Sequence, residues 1–365
     1  MTQKGLKREE QVAFALRSTY RKYGYLPYKM NKFERYDLYA ENKDFLVGNG
    51  VITFNDTDGK LLALKPDVTL SIVQNMGNDK DRKVYYHENV YRIAGDTKQF
   101  KEFMQVGLEH IGDIGTYDIF EAVYLAGKSL AEISNSFVLD ISHVGILACA
   151  LDNLCKEESF QTQMLGLIGS KNIHDAKTLC QQKGLPCEEV DEFLALIKLY
   201  GNVEDVLKQI APFCKTAQMK KAYNQFKAVC DLLLTTELKD HIRIDFSVVD
   251  DSKYYNGIVI KGFVDGVGIR VLSGGQYDKL MEKMGKNTGA IGFAVYLDHL
   301  ESFFKVEREL DVDVLILYDE SVSVKTLKDT VDTQIDAGKS VTAQKSAGKL
   351  RYASLIDLTS SGVKI

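Results

Sequence analysis

The sequence predicts an α+β protein in which helices flank an antiparallel sheet, a helical segment interrupts that sheet, and a small α/β unit closes the chain. Three patterns in the 365 residues predict it. Apolar and polar residues alternate through residues 45–112 and again from residue 242 onward, the period of strands with one buried face. Residues 157–237 lose that alternation and become rich in Lys, Gln, Leu and Ala, with breaks at Gly184-Leu185-Pro186 and Ala211-Pro212. Beyond an acidic joint near Glu307 to Asp313, the pattern restarts as strand, helix and two strands.

Residues 5–25 place Val12, Leu16 and Tyr20 at i, i+4 and i+8, which makes one amphipathic helix. VGNGVITFNDTDGKLLALKP reads as two strands joined at Asp58-Gly59, a favoured hairpin dipeptide. KVYYHENVYRI and EFMQVGLEHIG are two further strands connected by the polar segment Ala94 to Lys101. Helical spacing returns at 116–134 and 143–155, around the short strand VLDISHV, and these helices are expected to cover one face of the sheet. After the insertion, Ile242, Ile244, Phe246 and Val248 share a face, and YYNGIVIKGF and GVGIRVLS continue the sheet across the Asp265-Gly266 turn. Gly274 and Gly275 are expected to precede a helix at 276–284, and GAIGFAV to lead into a helix at YLDHLESFF. The tail reads as VLILY, a helix around Val322 to Ala337, SVTAQ and ASLIDL. The expected organisation is a core in two parts, 1–156 and 239–306, an insertion at 157–238, and a tail at 307–365 whose core is small for independent stability.

Composition narrows the function. Lys and Arg total 46 against 51 acids, a net charge of −5, which disfavours broad electrostatic binding of nucleic acid or anionic membrane. The start MTQKGLKREE lacks an apolar signal core and no apolar run approaches a membrane span, so a cytoplasmic protein is expected. The six cysteines lie between Cys149 and Cys230 without a C-x-x-C pair and read as buried thiols. No Walker P-loop, dinucleotide fingerprint, nucleophile elbow or zinc-type H-E-x-x-H occurs, and neither metal nor cofactor is expected.

The strand EFMQVGLEHIG carries the most chemistry. Strand geometry puts Gln105, Gly107 and Glu109 on one face and the apolar Met104, Val106 and Leu108 on the other. An amide, a gap and a carboxylate, with Gln105 and Glu109 about 13 Å apart along the backbone, suit a small zwitterion lying across the sheet. A solvated sheet face with an incidental glycine is the alternative. Arg92 ends the neighbouring strand and is a candidate anion clamp, or one half of a surface ion pair. Asp67 and Thr69 in LKPDVT are candidate acceptors for an ammonium group, with helix capping the alternative for Asp67. Tyr254-Tyr255 and Tyr277 combine aromatic hydroxyls with neighbouring glycines, and core packing explains them equally. Lys339, Lys345, Lys349 and Arg351 make the tail locally basic, as a solvated face does.

Across LKPDVT, VYRIAGDTKQFKEFMQVGLEHIG, YYNGIVIKGF, SGGQYD and GAIGFAVYLDHL, over most of 1–305, the chain resembles the histidyl-tRNA synthetase family, including its catalytically silent branch, the ATP phosphoribosyltransferase regulatory subunits. The resemblance implies a class II aminoacyl-tRNA synthetase-like core that usually forms a dimer, and a tail similar to a truncated anticodon-binding domain. It also implies that Asp67, Thr69, Gln105 and Glu109 hold the amino group and ring of histidine, with Tyr255 and Tyr277 lining the pocket. Where a ligase of the family has R-G-L-D-Y-Y, this chain has Asp250-Asp251-Ser252-Lys253-Tyr254-Tyr255. G-G-R-Y-D becomes Gly274-Gly275-Gln276-Tyr277-Asp278, the motif-three glutamate-arginine pair becomes Asp298-His299, and the glutamate expected two residues after Arg92 is Ala94. These changes remove cations that would stabilise phosphate charge in adenylate formation. The pattern implies a non-catalytic regulatory subunit in the first step of histidine biosynthesis. Its implied partners are the short-form catalytic transferase, a second copy of itself within a hetero-oligomer, and L-histidine as effector. A divergent histidyl-tRNA synthetase and a pseudo-synthetase RNA-binding module are the alternatives.

Overall fold

In the computed structural model, which describes residues 7–43, 46, 50–76, 81–93, 99–248, 254–304 and 310–360, helix α1 (Arg8–Lys22) buries the Val12, Leu16 and Tyr20 stripe against the main core. Strands β1 (Leu26–Pro27) and β2 (Phe33–Arg35) and helix α2 (Tyr36–Glu41) follow. Strands β3 (Thr53–Asn55) and β4 (Leu61–Leu64) form the hairpin expected at Asp58-Gly59, where Gly59 takes φ 82°. They build a separate three-stranded sheet with β2 in the order β2-β4-β3. Helix α3 (Val68–Asn75) leads into the two long strands, β5 (Arg82–Ile93) and β6 (Phe100–Gly112). Helix α4 (Thr116–Ile133), strand β7 (Phe137–His143) and helix α5 (Val144–Leu154) complete the first part.

The inserted segment contains helices α6 (Glu158–Gly169), α7 (Ile173–Gln182) and α8 (Cys187–Ile197), strand β8 (Tyr200–Asn202), and helices α9 (Val203–Ile210) and α10 (Ala217–Leu233). Strands β9 (Ile242–Asp245), β10 (Ile258–Val264) and β11 (Leu272–Gln276), helix α11 (Asp278–Lys283), strand β12 (Gly289–Tyr296) and helix α12 (Glu301–Phe304) return to the core. Strand β13 (Val312–Leu317), helix α13 (Val324–Asp336), and strands β14 (Val341–Gln344) and β15 (Tyr352–Asp357) make the tail, a parallel sheet in the order β14-β13-β15. The chain divides into two compact units, Met1–Phe304 and Lys305–Ile365. Within the second, the basic residues Arg351 and Lys345 pair with Asp311 at 2.8 Å and Glu320 at 3.6 Å.

Among the described residues the main sheet has nine strands in the order β1-β5-β6-β12-β11-β10-β7-β9-β8. Its centre is antiparallel as expected, but β1 runs parallel to β5 and β7 runs parallel to β9. The insertion corrects a second expectation, because it is not purely helical. Its strand β8 extends the sheet edge against β9, and its first half builds a second core, in which Phe160, Met164, Ile168 and Phe193 pack with Leu147, Leu151 and Leu154 of α5. Leu207, Phe226, Val229 and Leu233 of its second half belong to the main core. Gly274 and Gly275 precede helix α11 as expected, but they lie inside β11 rather than beyond the end of the strand. A Cβ at Gly274 would sit 2.3 Å from the Gly292 carbonyl oxygen and one at Gly275 2.8 Å from the Tyr255 ring, so bare backbone is what lets the neighbours approach. The thiols are buried at Cys149, Cys180, Cys214 and Cys230, whereas Cys187, at the start of α8, is exposed.

Helix α4 covers the face that carries Val106 and Leu108, where Ile119, Val123, Leu130, Phe293 and Val295 share the main core. The opposite face, with Gln105, Gly107 and Glu109, is therefore free to be functional. Leu108 is fully buried, and Leu108→Ala is expected to lose about 2–5 kcal/mol of stability. Urea unfolding checks this; a loss below about 1 kcal/mol would mean that β6 is not at the centre of the core.

Candidate functional site

Register fixes the site. Gln105 lies between Glu88 of β5 and Tyr296 of β12, Gly107 between Tyr86 and Ala294, and Glu109 between Val84 and Gly292. Glu109 is 2% exposed, and its carboxyl group rests on the bare backbone of Gly292, where an added Cβ would come within 1.7 Å of Oε2. Two hydroxyls close on it. Thr69 Oγ1 donates to Oε1 at 2.7 Å and Tyr277 donates to Oε2 at 2.6 Å. Burial pushes the Glu109 carboxyl up to about 8, the two hydroxyl bonds pull it down, and the Asp67 charge pushes it up again.

The structure brings Asp67, Thr69, Gln105, Glu109 and Tyr277 into one region and gives several of them structural duties as well. Asp67 caps α3 by accepting from Leu70 N at 2.9 Å, the alternative duty weighed for it. Its other oxygen lies 3.8 Å from the Arg92 guanidinium. Burial pushes the Asp67 carboxyl up and Arg92 opposes that shift. Arg92 also donates from Nε to the Pro66 carbonyl at 2.6 Å, so the candidate anion clamp is turned onto the LKPDVT segment. Tyr255 lies against Gly275, with its ring centroid 4.9 Å from that of Tyr254.

Tyr254, singled out with Tyr255 in the sequence, tilts its ring 5.8 Å from that of Tyr277, and its phenol is raised by burial and then by Asp67, Tyr255 and Glu109. Sequence reasoning missed two members, Lys65 and Tyr86. Lys65 is fully buried and pairs with Glu88 at 3.0 Å, beside Gln105. Tyr86 overturns the reading of Gly107 as an open gap: a Cβ there would lie 2.5 Å from the Tyr86 hydroxyl and 2.3 Å from the Phe293 carbonyl oxygen. The glycine seats a phenol ring. Alternation along β5 puts Tyr86 on the face of Glu88 and Arg92, but only the pairing of β5 with β6 sets it over Gly107.

The substituted phosphate-side positions are equally defined. Gln276 is buried, donates from Nε2 to Asp278 at 2.8 Å, and presses its side-chain oxygen against Gly257. His299 hydrogen-bonds the Arg270 carbonyl through Nδ1 at 2.7 Å, and Asp298 accepts from Met104 N. Asp250 and Ala94 lie outside the described residues. Among the described residues, no group of three or more His, Cys, Asp or Glu side chains is placed to hold a metal ion, and no helix is long and apolar enough to cross a membrane.

The family model for histidyl-tRNA synthetase matches residues 2–300. A Bacillus cereus protein named ATP phosphoribosyltransferase regulatory subunit is 28% identical over 324 residues, covering 85% of this chain and 76% of that protein. A crystal structure from Bacillus halodurans, described as an ATP phosphoribosyltransferase regulatory subunit/histidyl-tRNA synthetase, superposes with a TM-score of 0.83 at 21% identity, covering 96% of this chain and 94% of that one. A chain of an ATP phosphoribosyl transferase complex from Thermotoga maritima superposes with a TM-score of 0.61 at 18% identity, covering 78% and 96%. The two superpositions carry the class II synthetase-like fold.

The Glu109 environment yields a stability prediction. Its folded value of about 8 lies above the ordinary 4.5, so the native state holds the proton more tightly than the unfolded chain. That contribution is complete below about pH 4.5 and is lost as pH rises through about 8, an amount of the order of 5 kcal/mol. Unfolding free energies for the parent and Glu109→Gln between about pH 5 and pH 9 should diverge in favour of the glutamine variant as pH rises. A constant difference would show that the carboxyl is ionised throughout.

Proposed function

The chain belongs to the histidyl-tRNA synthetase family, and from that membership we propose that it serves as the regulatory subunit of ATP phosphoribosyltransferase. One contrast within the site carries the reading. The Glu109, Thr69 and Tyr277 ring is closed and geometrically tight. The positions where a ligase of the family presents phosphate-gripping cations instead hold Gln276, whose Nε2 is tied to Asp278, and His299, whose Nδ1 is tied to the Arg270 carbonyl. Adenylate formation depends on fixed positive groups aimed at the phosphates, and one such contact is worth about 3 kcal/mol or more. Side chains whose donors are already engaged within the fold do not supply it. The Bacillus cereus relative, which bears the name of the regulatory subunit, supports the same reading over 85% of the chain.

In this role the chain joins the short-form catalytic transferase, is needed for its condensation of ATP with phosphoribosyl pyrophosphate, and conveys feedback from the end product of the pathway. It acts as a homodimer within that hetero-oligomer. L-Histidine is the effector, its amino group held by Asp67, Thr69 and Gln105 and its ring by Glu109, Tyr255 and Tyr277. Feedback requires histidine to favour one arrangement of the assembly over another, because equal binding to both shifts nothing.

The direct test mixes purified chain with the short catalytic transferase and follows formation of phosphoribosyl-ATP. Activity is expected only with both chains present and is expected to fall on addition of L-histidine. Full activity of the catalytic chain alone, unchanged by this protein, would refute the role. A second expectation follows from Glu109. Its carboxyl is protonated below about pH 8 in the unliganded protein, and accepting the N–H of the ligand ring favours the ionised form, so binding expels a proton. Histidine affinity should therefore strengthen as pH rises toward 8, by up to about tenfold per pH unit, and Glu109→Gln should abolish that slope. Calorimetric titrations that give the same slope for both proteins would place the ligand ring away from Glu109.

A further inference from the structure

We propose that the cavity between the inserted helices and α5 is a second small-molecule site, and that it takes a primary amine carried on a flat apolar body. It shares no residue with the Glu109 pocket and stands independently of the histidine reading. The cavity measures about 250 Å³ and lies between α5, α8, the turn after α9 and the start of α10. It falls where two cores meet. Leu154 and Phe193 wall it from the second core, Leu196 and Met219 from the main core, and all four are buried. Ala150 of α5 adds only a methyl group to that wall, so neither core fills the space. An apolar cavity of roughly 150 Å³ already accepts a benzene ring, so this one has room for a two-ring body.

The opening sets the charge of the occupant. Asn153, Glu189 and Lys215 line it and are exposed. Lys215 is already engaged, because its ammonium donates to Glu192 at 2.7 Å. The Glu189 carboxylate has no ion-pair or hydrogen-bond partner among the described residues. The Asn153 amide donates to the Met219 sulfur at 3.8 Å, which leaves its carbonyl oxygen to accept. Apolar walls with a few polar groups at one end are the usual make-up of a small-molecule site. One uncompensated carboxylate and an amide oxygen at the mouth match an ammonium head and oppose a carboxylate.

Tryptamine is a suitable probe, because the chain has no tryptophan and the indole emission, excited beyond the tyrosine band, reports the probe alone. Titrating the full chain into tryptamine should give a saturable change in emission. Indole-3-acetate, with the same ring and the opposite charge, should bind at least about threefold more weakly. Glu189→Gln, a change at an exposed position, should weaken tryptamine about two- to fivefold, and Ala150→Phe, which sets a ring in the cavity, should abolish its binding. Should Ala150→Phe fail to fold, Glu189→Gln decides. No saturable change with the parent overturns the site. Binding that is undiminished in variants melting with the parent puts the probe elsewhere, the Glu109 pocket included, and overturns it too. Equal binding of indole-3-acetate overturns the assignment of an amine.

Discussion

A buried carboxyl group laid on bare glycine backbone is the constraint on which the site depends. Glu109 has no room unless position 292 lacks a side chain, and it has no compensation for its burial unless Thr69 and Tyr277 reach it from α3 and from the end of β11. The end of β11 is brought beside β6 by the central order β6-β12-β11. The face opposite Glu109 must then be apolar, as Val106, Leu108, Phe293 and Val295 are, because α4 packs there. Fold and pocket are thus one arrangement: the residues that stabilise the sheet on one side fix the spacing of the polar groups on the other.

The same geometry explains the division of labour in the site. The end around Glu109 is walled by Tyr254, Tyr277 and Tyr86, and burial keeps each phenol neutral. The end that would meet phosphate has no such investment. Arg92 is turned onto Asp67 and the Pro66 carbonyl, Gln276 onto Asp278, and His299 onto a backbone carbonyl. On the proposed reading, a pocket for a small zwitterion whose neighbouring cations are absent or engaged senses a ligand rather than activating it.

Much of this was legible in the sequence, because it depends on short-range pattern. Period-two alternation puts Gln105, Gly107 and Glu109 on one face, and the Asp58-Gly59 hairpin and the α1 stripe follow equally local rules. What was not legible depends on pairing between distant segments. The parallel pairs β1/β5 and β7/β9, the edge strand Tyr200–Asn202 and the placement of Tyr86 over Gly107 each require the register of strands separated in the chain. The mid-strand place of Gly274 and Gly275 was hidden for a related reason. Glycine pairs commonly break strands, and here they are needed mid-strand because Gly292, Phe293 and Tyr255 approach too closely for a side chain.

The central claim is that this chain keeps a histidine pocket without the means to activate the amino acid. Histidine-dependent exchange of pyrophosphate into ATP measures that activation directly, before any tRNA is involved. The account predicts no exchange above background at saturating histidine and ATP. Sustained exchange that requires histidine would contradict it, because Gln276 and His299 would then have to support a reaction that their engaged side chains cannot stabilise.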